Sequence, residues 1–213
     1  MKKSGTRGHT CDHGGGLGRR IRIVSQVRPH PYFTYAQYVA LEMESSTRHE
    51  FFDGEIYSMA GGSDEHAALA MRIGWSLINA VGDRPCRVYS SDLRIYVEAA
   101  RMAAFPDASV VCGPLQRFDL GPQTTALNPM ILVEVTSGSS EEYDTETKFE
   151  CYRTIPSLRE YVIASHRERR ITVHTRDENG NWTAIKGGRI ALPSLGAELS
   201  VDEIYRNSTI SAD

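Results

Sequence analysis

No stretch of this chain stays apolar for long. The run Met130 to Val133 ends at Glu134, and no run comes near the about 18 to 20 residues a bilayer-spanning helix needs, so no membrane span is expected. An apolar segment is also missing behind the basic start. MKKSGTR continues as CDHGGGLGRRIRI, which lacks the apolar core of a secretory signal and points to the cytoplasm. Cysteine is sparse: Cys11, Cys86, Cys112 and Cys151 lie far apart with no CxxC. That excludes a zinc ribbon and gives no sign of a disulfide framework, so all four read as free thiols. Net positive charge is lacking as well. A formal charge of −3 over 213 residues is not the footprint of a strongly basic nucleic-acid binder. A bound divalent cation or a local arginine patch could still make an attractive site for a polyanion, because the total says nothing of the distribution.

What is there suffices for a core: 40% of residues are hydrophobic, enough for a single domain over 31–213 behind a flexible arm at 1–30 rich in Gly, Lys and Arg. His9, Cys11 and His13 in that arm have no second ligand pair at zinc-finger spacing and read as part of a disordered tail. Thr34 and Gln37 have capping-box spacing ahead of a helix over about 35–46. Asp53-Gly54 marks a hairpin turn with Glu50 and Glu55 on either side. Ser63 caps a helix over about 64–81 whose apolar stripe is Leu69, Ala70, Ile73, Leu77, Ile78 and Val81, with His66 in its first turn. Cys86–Val97 and Ala104–Cys112 read as two strands of one antiparallel hairpin, and 113–128 as an irregular insertion. Met130–Val135 reads as a central strand buried on both faces. A helix over about 141–155 follows, ended by Pro156, then strands at 159–164, 169–175 and 181–186, a loop from Leu192 and a short helix Val201–Tyr205. This order gives an α/β (α+β) fold, a sheet with helices against it.

Two acids stand out. Asp107 follows Pro106 at the start of a strand, and Glu134 lies inside the most apolar run, where a lone carboxylate is costly unless paired or bound to metal. On adjacent strands they would each give an oxygen to a hard cation such as Mg²⁺, with the backbone carbonyl of Val135 as a further ligand. A lysine nearby would stabilise developing negative charge or orient a water. Its usual place, two residues after the glutamate, is held by Thr136. The substitute is Lys148, since Lys2 and Lys3 fall in the arm and only Lys148 and Lys186 remain in the folded part. The plain alternatives are a strand-end Glu134 reaching solvent, and Lys148 pairing with Asp144 at i, i+4 on an exposed helical face.

The pieces RHEFFDGEIYSMAG, DEHAALA, SSDLRIYV, FPDASVV, ILVEVTS and YDTETKFECYRTIPSLREYVIA, in this order across 32–206, resemble the Uma2 family of the PD-(D/E)XK nuclease superfamily. The resemblance implies a restriction-endonuclease-like fold, a mixed β-sheet flanked by helices, and a Mg²⁺-dependent endonuclease acting on DNA, with Mn²⁺ as a second option. By position it makes Asp107 the motif aspartate, Glu134 the second acid, Lys148 a displaced lysine and Glu50 a further metal-binding acid; Glu55 matches less well. A homodimer would let two sites address two strands. Competing readings are a non-catalytic module that binds nucleic acid or protein on the same fold, and a different metal hydrolase in which His66 joins the carboxylates on Zn²⁺ or Mn²⁺.

Overall fold

The computed structural model describes residues 32–59, 61–120, 125–138 and 140–211; the arm at 1–30, with His9, Cys11 and His13, lies outside them. Thr34 opens helix α1, Tyr35–Glu44, through a reciprocal capping box with Gln37, and the helix buries Tyr38 and Val39. Strands β1, His49–Phe52, and β2, Glu55–Ser58, form the expected hairpin. Asp53 and Gly54 both take positive φ, 43° and 92°, as a tight two-residue turn requires. Helix α2, Asp64–Val81, is capped by Ser63 and buries Leu69, Ile73, Leu77 and Val81. Ile78, expected on that stripe, is exposed instead and shares its face with Met71 and Trp75.

The two long strands expected next are each cut in two. Strands β3, Cys86–Ser90, and β4, Arg94–Val97, lie in different sheets, as do β5, Met102–Ala104, and β6, Ala108–Cys112. The hairpin itself survives, since β4 pairs with β5 and β3 with β6, both antiparallel. What breaks it is Phe105-Pro106-Asp107, because a proline has no N–H for the ladder and bends the strand away. Asp107 is thereby set at the corner where the hairpin passes from one sheet to the other.

The span read as irregular, 113–128, contains the short strand β7, Thr125–Ala126, parallel to β4. Strand β8, Ile131–Val135, is central and wholly buried. A π-helical turn, Tyr143–Thr147, runs into helix α3, Lys148–Tyr152. Then come β9, Glu160–Ala164, β10, Ile171–Arg176, and β11, Trp182–Lys186. One sheet has the order β2-β1-β5-β4-β7 and the other β11-β10-β9-β8-β6-β3. A hairpin of β12, Arg189–Leu192, and β13, Ala197–Ser200, replaces the expected loop and precedes helix α4, Val201–Ile204. Packing on both faces explains the apolar run at β8. Ile131, Val133 and Val135 meet α2, while Leu132 meets Tyr152 and Tyr161.

The reading of four free thiols is corrected. Cys86 and Cys112 occupy one rung of the β3–β6 ladder and are joined as a disulfide; among the described cysteines Cys151, which is buried, forms no disulfide. The pairing is not visible in sequence because 26 residues separate the two, and only the closing of the hairpin returns the chain to the same rung. Among the described residues no helix is long and apolar enough to cross a membrane.

Candidate active site

Strand register decides where the acids fall. Strands β6 and β8 are antiparallel with Ala108 opposite Val133, so Asp107, one step earlier, comes opposite Glu134, one step later. Side chains alternate across a strand, and Glu134 therefore shares the face of Leu132, away from α2 and toward α3. Asp107 is held by two donors on one oxygen: the Val135 N–H reaches Oδ2 at 2.7 Å and His66 Nε2 lies 3.2 Å from the same atom. The hydrogen bond to Asp107 raises the His66 pKa above its ordinary value, against the opposing effect of burial. Glu134 is only 4% exposed, a buried acid at the edge of a cavity and not a strand-end side chain standing in solvent. Its Oε1 takes hydrogen bonds from Lys148 Nζ and from the Tyr152 hydroxyl, each at 3.1 Å.

Lys148 joins the group from the helix. Its ammonium lies 2.9 Å from Glu50 Oε1, 3.1 Å from Glu134 Oε1 and 3.1 Å from Asp144 Oδ1. The i, i+4 pair with Asp144 exists, but it is buried, so the exposed-face reading of that pair is corrected. Burial by itself would lower the Lys148 pKa; Glu134, Glu50, Tyr152 and Asp144 outweigh it and raise it. Burial raises the Glu134 pKa, reinforced by Asp144, Asp107 and Glu50 and opposed by Lys148. Three carboxylates around one ammonium hold excess negative charge, so the lysine stays charged and Glu134 takes up a proton more readily than an ordinary glutamate. Asp144 is further fixed by the Ser140 hydroxyl at 2.6 Å, and the Tyr161 hydroxyl donates to its backbone carbonyl at 2.8 Å. The widened turn at Tyr143–Thr147 is of a kind often found at functional sites.

The structure thus brings Glu50, Asp107, Glu134 and Lys148 to one place and sets Val135 beside them. Glu55 does not line the cleft; it accepts a hydrogen bond from the Tyr57 hydroxyl. Thr136, in the usual lysine position, is buried, and its hydroxyl lies 2.8 Å from His166 Nδ1. Asp144 as a third carboxylate, Tyr152 and Tyr143 were not singled out for the site by sequence reasoning. The signal was the helical spacing of Asp144, Lys148 and Tyr152, four residues apart, with Glu134 the buried acid in need of partners.

These groups open into a cavity of about 1860 Å³, whose other wall carries Met71, Trp75 and Ile78. Among the described residues seven acidic side chains line it, against Arg48 and Lys148 as permanent cations. A polyanion would be repelled there without an added positive charge. The described residues hold no group of three or more His, Cys, Asp or Glu placed for a metal ion, which speaks against a closed zinc centre. A pair of hard carboxylates does suit Mg²⁺, which commonly takes one or two from the protein and keeps several waters.

The Uma2 family model, described as "Putative restriction endonuclease", matches residues 35–204. The chain belongs to the Uma2 family. The span shared with Uma2 proteins takes in Glu50, Asp107, Glu134 and Lys148 and leaves out the basic arm. Two uncharacterized proteins of Synechocystis sp. are similar: slr1290, 33% identical over 84% of this chain and 94% of its own length, and sll1609, 33% identical over 61% and 73%. A crystal structure from Anabaena variabilis, described as "a putative nuclease belonging to DUF820", superposes with a TM-score of 0.61 at 16% identity, covering 76% of this chain and 92% of that one. The fold of this Uma2 chain is accordingly the restriction-endonuclease-like one, mixed β-sheets flanked by helices.

One group in the Uma2 site has no hydrogen-bond partner among the described residues. The Tyr143 hydroxyl is buried, while its ring lies 5.4 Å from the Lys148 ammonium. Burial, with Glu50 next, raises its pKa. An unsatisfied buried hydroxyl costs about 1 to 3 kcal/mol, so Tyr143→Phe is expected to leave the urea midpoint unchanged or raise it. A clear fall would mean that the hydroxyl has a partner.

Proposed function

We propose that this Uma2 protein is a Mg²⁺-dependent endonuclease that hydrolyses DNA phosphodiester bonds, with Mn²⁺ able to replace Mg²⁺. The observation that carries the reading is the facing of Asp107 and Glu134 across one rung, beside a buried lysine on the floor of a cleft. In the reaction a water oxygen bonds to phosphorus, the bond to the leaving sugar oxygen breaks, and that oxygen takes up a proton. Asp107 and Glu134 would hold the cation, with Glu50 and the Val135 carbonyl as further candidates. When bound, it would neutralise phosphate charge and acidify a water. Lys148 keeps the mutually repelling carboxylates together and sets a positive charge beside the position of the phosphate.

A homodimer fits cleavage of both strands. The cytoplasm stays the proposed location, although a cross-strand disulfide is rare in reducing compartments and weighs against it. The competing reading, a non-catalytic binding module, draws on the acidic cleft and on a lysine already engaged by three carboxylates. Nicking of supercoiled plasmid decides between them. Wild type with Mg²⁺ should nick, wild type with EDTA and Asp107→Asn with Mg²⁺ should not. Absence of nicking by wild type with either metal would leave the binding module.

A further inference from the structure

The hydrogen bonds of the two acids share a pattern. Every one described for Asp107 ends on Oδ2, from the Val135 N–H and His66, and every one for Glu134 ends on Oε1, from Lys148 and Tyr152. Each carboxylate therefore has one oxygen held by two donors and a second with no described donor. A carboxylate pinned in this way cannot rotate freely, and its remaining oxygen is available to a cation. Outer groups of this kind orient ligands and typically change metal affinity or activity about 10- to 100-fold when removed.

We infer that Tyr152 and His66 are positioning residues for a cation site formed by Glu134 Oε2 and Asp107 Oδ1. The inference rests on the proposed metal-dependent reading. Tyr152 is completely buried and meets Tyr161 edge-on, ring centroids 5.4 Å apart. A phenylalanine would fill the same space, so what Tyr152→Phe removes is the donor to Glu134. His66 stands in the first turn of α2 on the other side of the rung, so the two acids are tied to two different elements of the fold. The spacing between them is then set by how α2 and α3 pack on the sheet, not by the strands alone.

The test is thermal stability of the whole protein titrated with Mn²⁺, read beside plasmid nicking. A ligand that binds only the native state raises the melting temperature once its concentration passes Kd, and logarithmically beyond it; the Mn²⁺ midpoint is the Kd taken from that relation. Tyr152→Phe should shift the Mn²⁺ midpoint to about 10- to 100-fold higher concentration and lower kcat. Tyr161→Phe is the control: it removes a hydroxyl of the same aromatic cluster that donates to the Asp144 carbonyl, and it should keep the wild-type midpoint. His66→Leu should behave like Tyr152→Phe, and His66→Gln, which retains an N–H donor, should recover part of the loss. Wild-type midpoints in both Tyr152→Phe and His66→Leu would overturn the inference, as would equal shifts in Tyr152→Phe and Tyr161→Phe, which would mark general loosening of the cluster. A wild type that nicks plasmid with a Mn²⁺ midpoint insensitive to Tyr152 would sink the positioning role alone. A wild type that neither nicks nor gains stability from metal would remove the nuclease reading and this inference with it.

Discussion

Lys148→Met should cost about 3 to 5 kcal/mol of stability, the usual penalty for leaving a buried charge without its partner. The ammonium lies within 3.1 Å of Glu50, Glu134 and Asp144, and all four groups are buried. Methionine fills nearly the same space, so packing is kept while the only described cation among those carboxylates goes. They can then stay folded only by taking up protons or by drawing in water, and both act against the native state at neutral pH. For a chain of this size the loss corresponds to a fall of about 10 °C or more in melting temperature. Urea denaturation at pH 7.5 is the direct reading. A midpoint equal to the wild type would mean that the lysine is solvated and the cluster open.

Glu134→Gln should act in the opposite sense. Gln is isosteric, still accepts hydrogen bonds from Lys148 and Tyr152, and takes one negative charge out of a cluster that has too many. Stability should stay within about 1 kcal/mol of the wild type or rise, since an amide in place of a buried carboxylate among other acids is not an uncompensated charge. Activity should fall steeply. Charge stabilisation by a metal is worth several kcal/mol in the transition state, and at 1.36 kcal/mol per decade its loss removes about three powers of ten from kcat. Stability thereby separates the two neighbouring side chains: Lys148→Met lowers it, while Glu134→Gln spares it and lowers activity. Cleavage by Glu134→Gln at the wild-type rate would remove the glutamate from the chemistry.

Much of the scaffold was legible because its signals are local. Thr34 with Gln37, Asp53-Gly54, Ser63 ahead of the Leu69–Ile73–Leu77 stripe, and the apolar run around Leu132 each sit within a few residues of the element they specify. Departures arise where distant segments meet. Pro106 lay in plain view, but that it divides one hairpin between two sheets depends on what each half packs against. The Cys86–Cys112 bond needs the hairpin closed first. Ile78 follows Leu77 by one residue, about 100° around the helix, and lands on the open face. At the site, the facing of Asp107 and Glu134 follows from adjacent strands, while the burial of Lys148 among three acids does not follow from its spacing to Asp144. Pairing at i, i+4 is the same on a wet face and a dry one; here the strand carrying Glu134 lies beneath the helix and makes it dry.

The central claim is that Asp107 and Glu134 form a cation site beside Lys148, and diffraction from crystals soaked in Mn²⁺, read by anomalous scattering, tests it most directly. A peak between the two carboxylates, absent from Glu134→Gln crystals grown alike, is the predicted result. Manganese bound elsewhere, or none bound under conditions where the protein nicks plasmid, would contradict it.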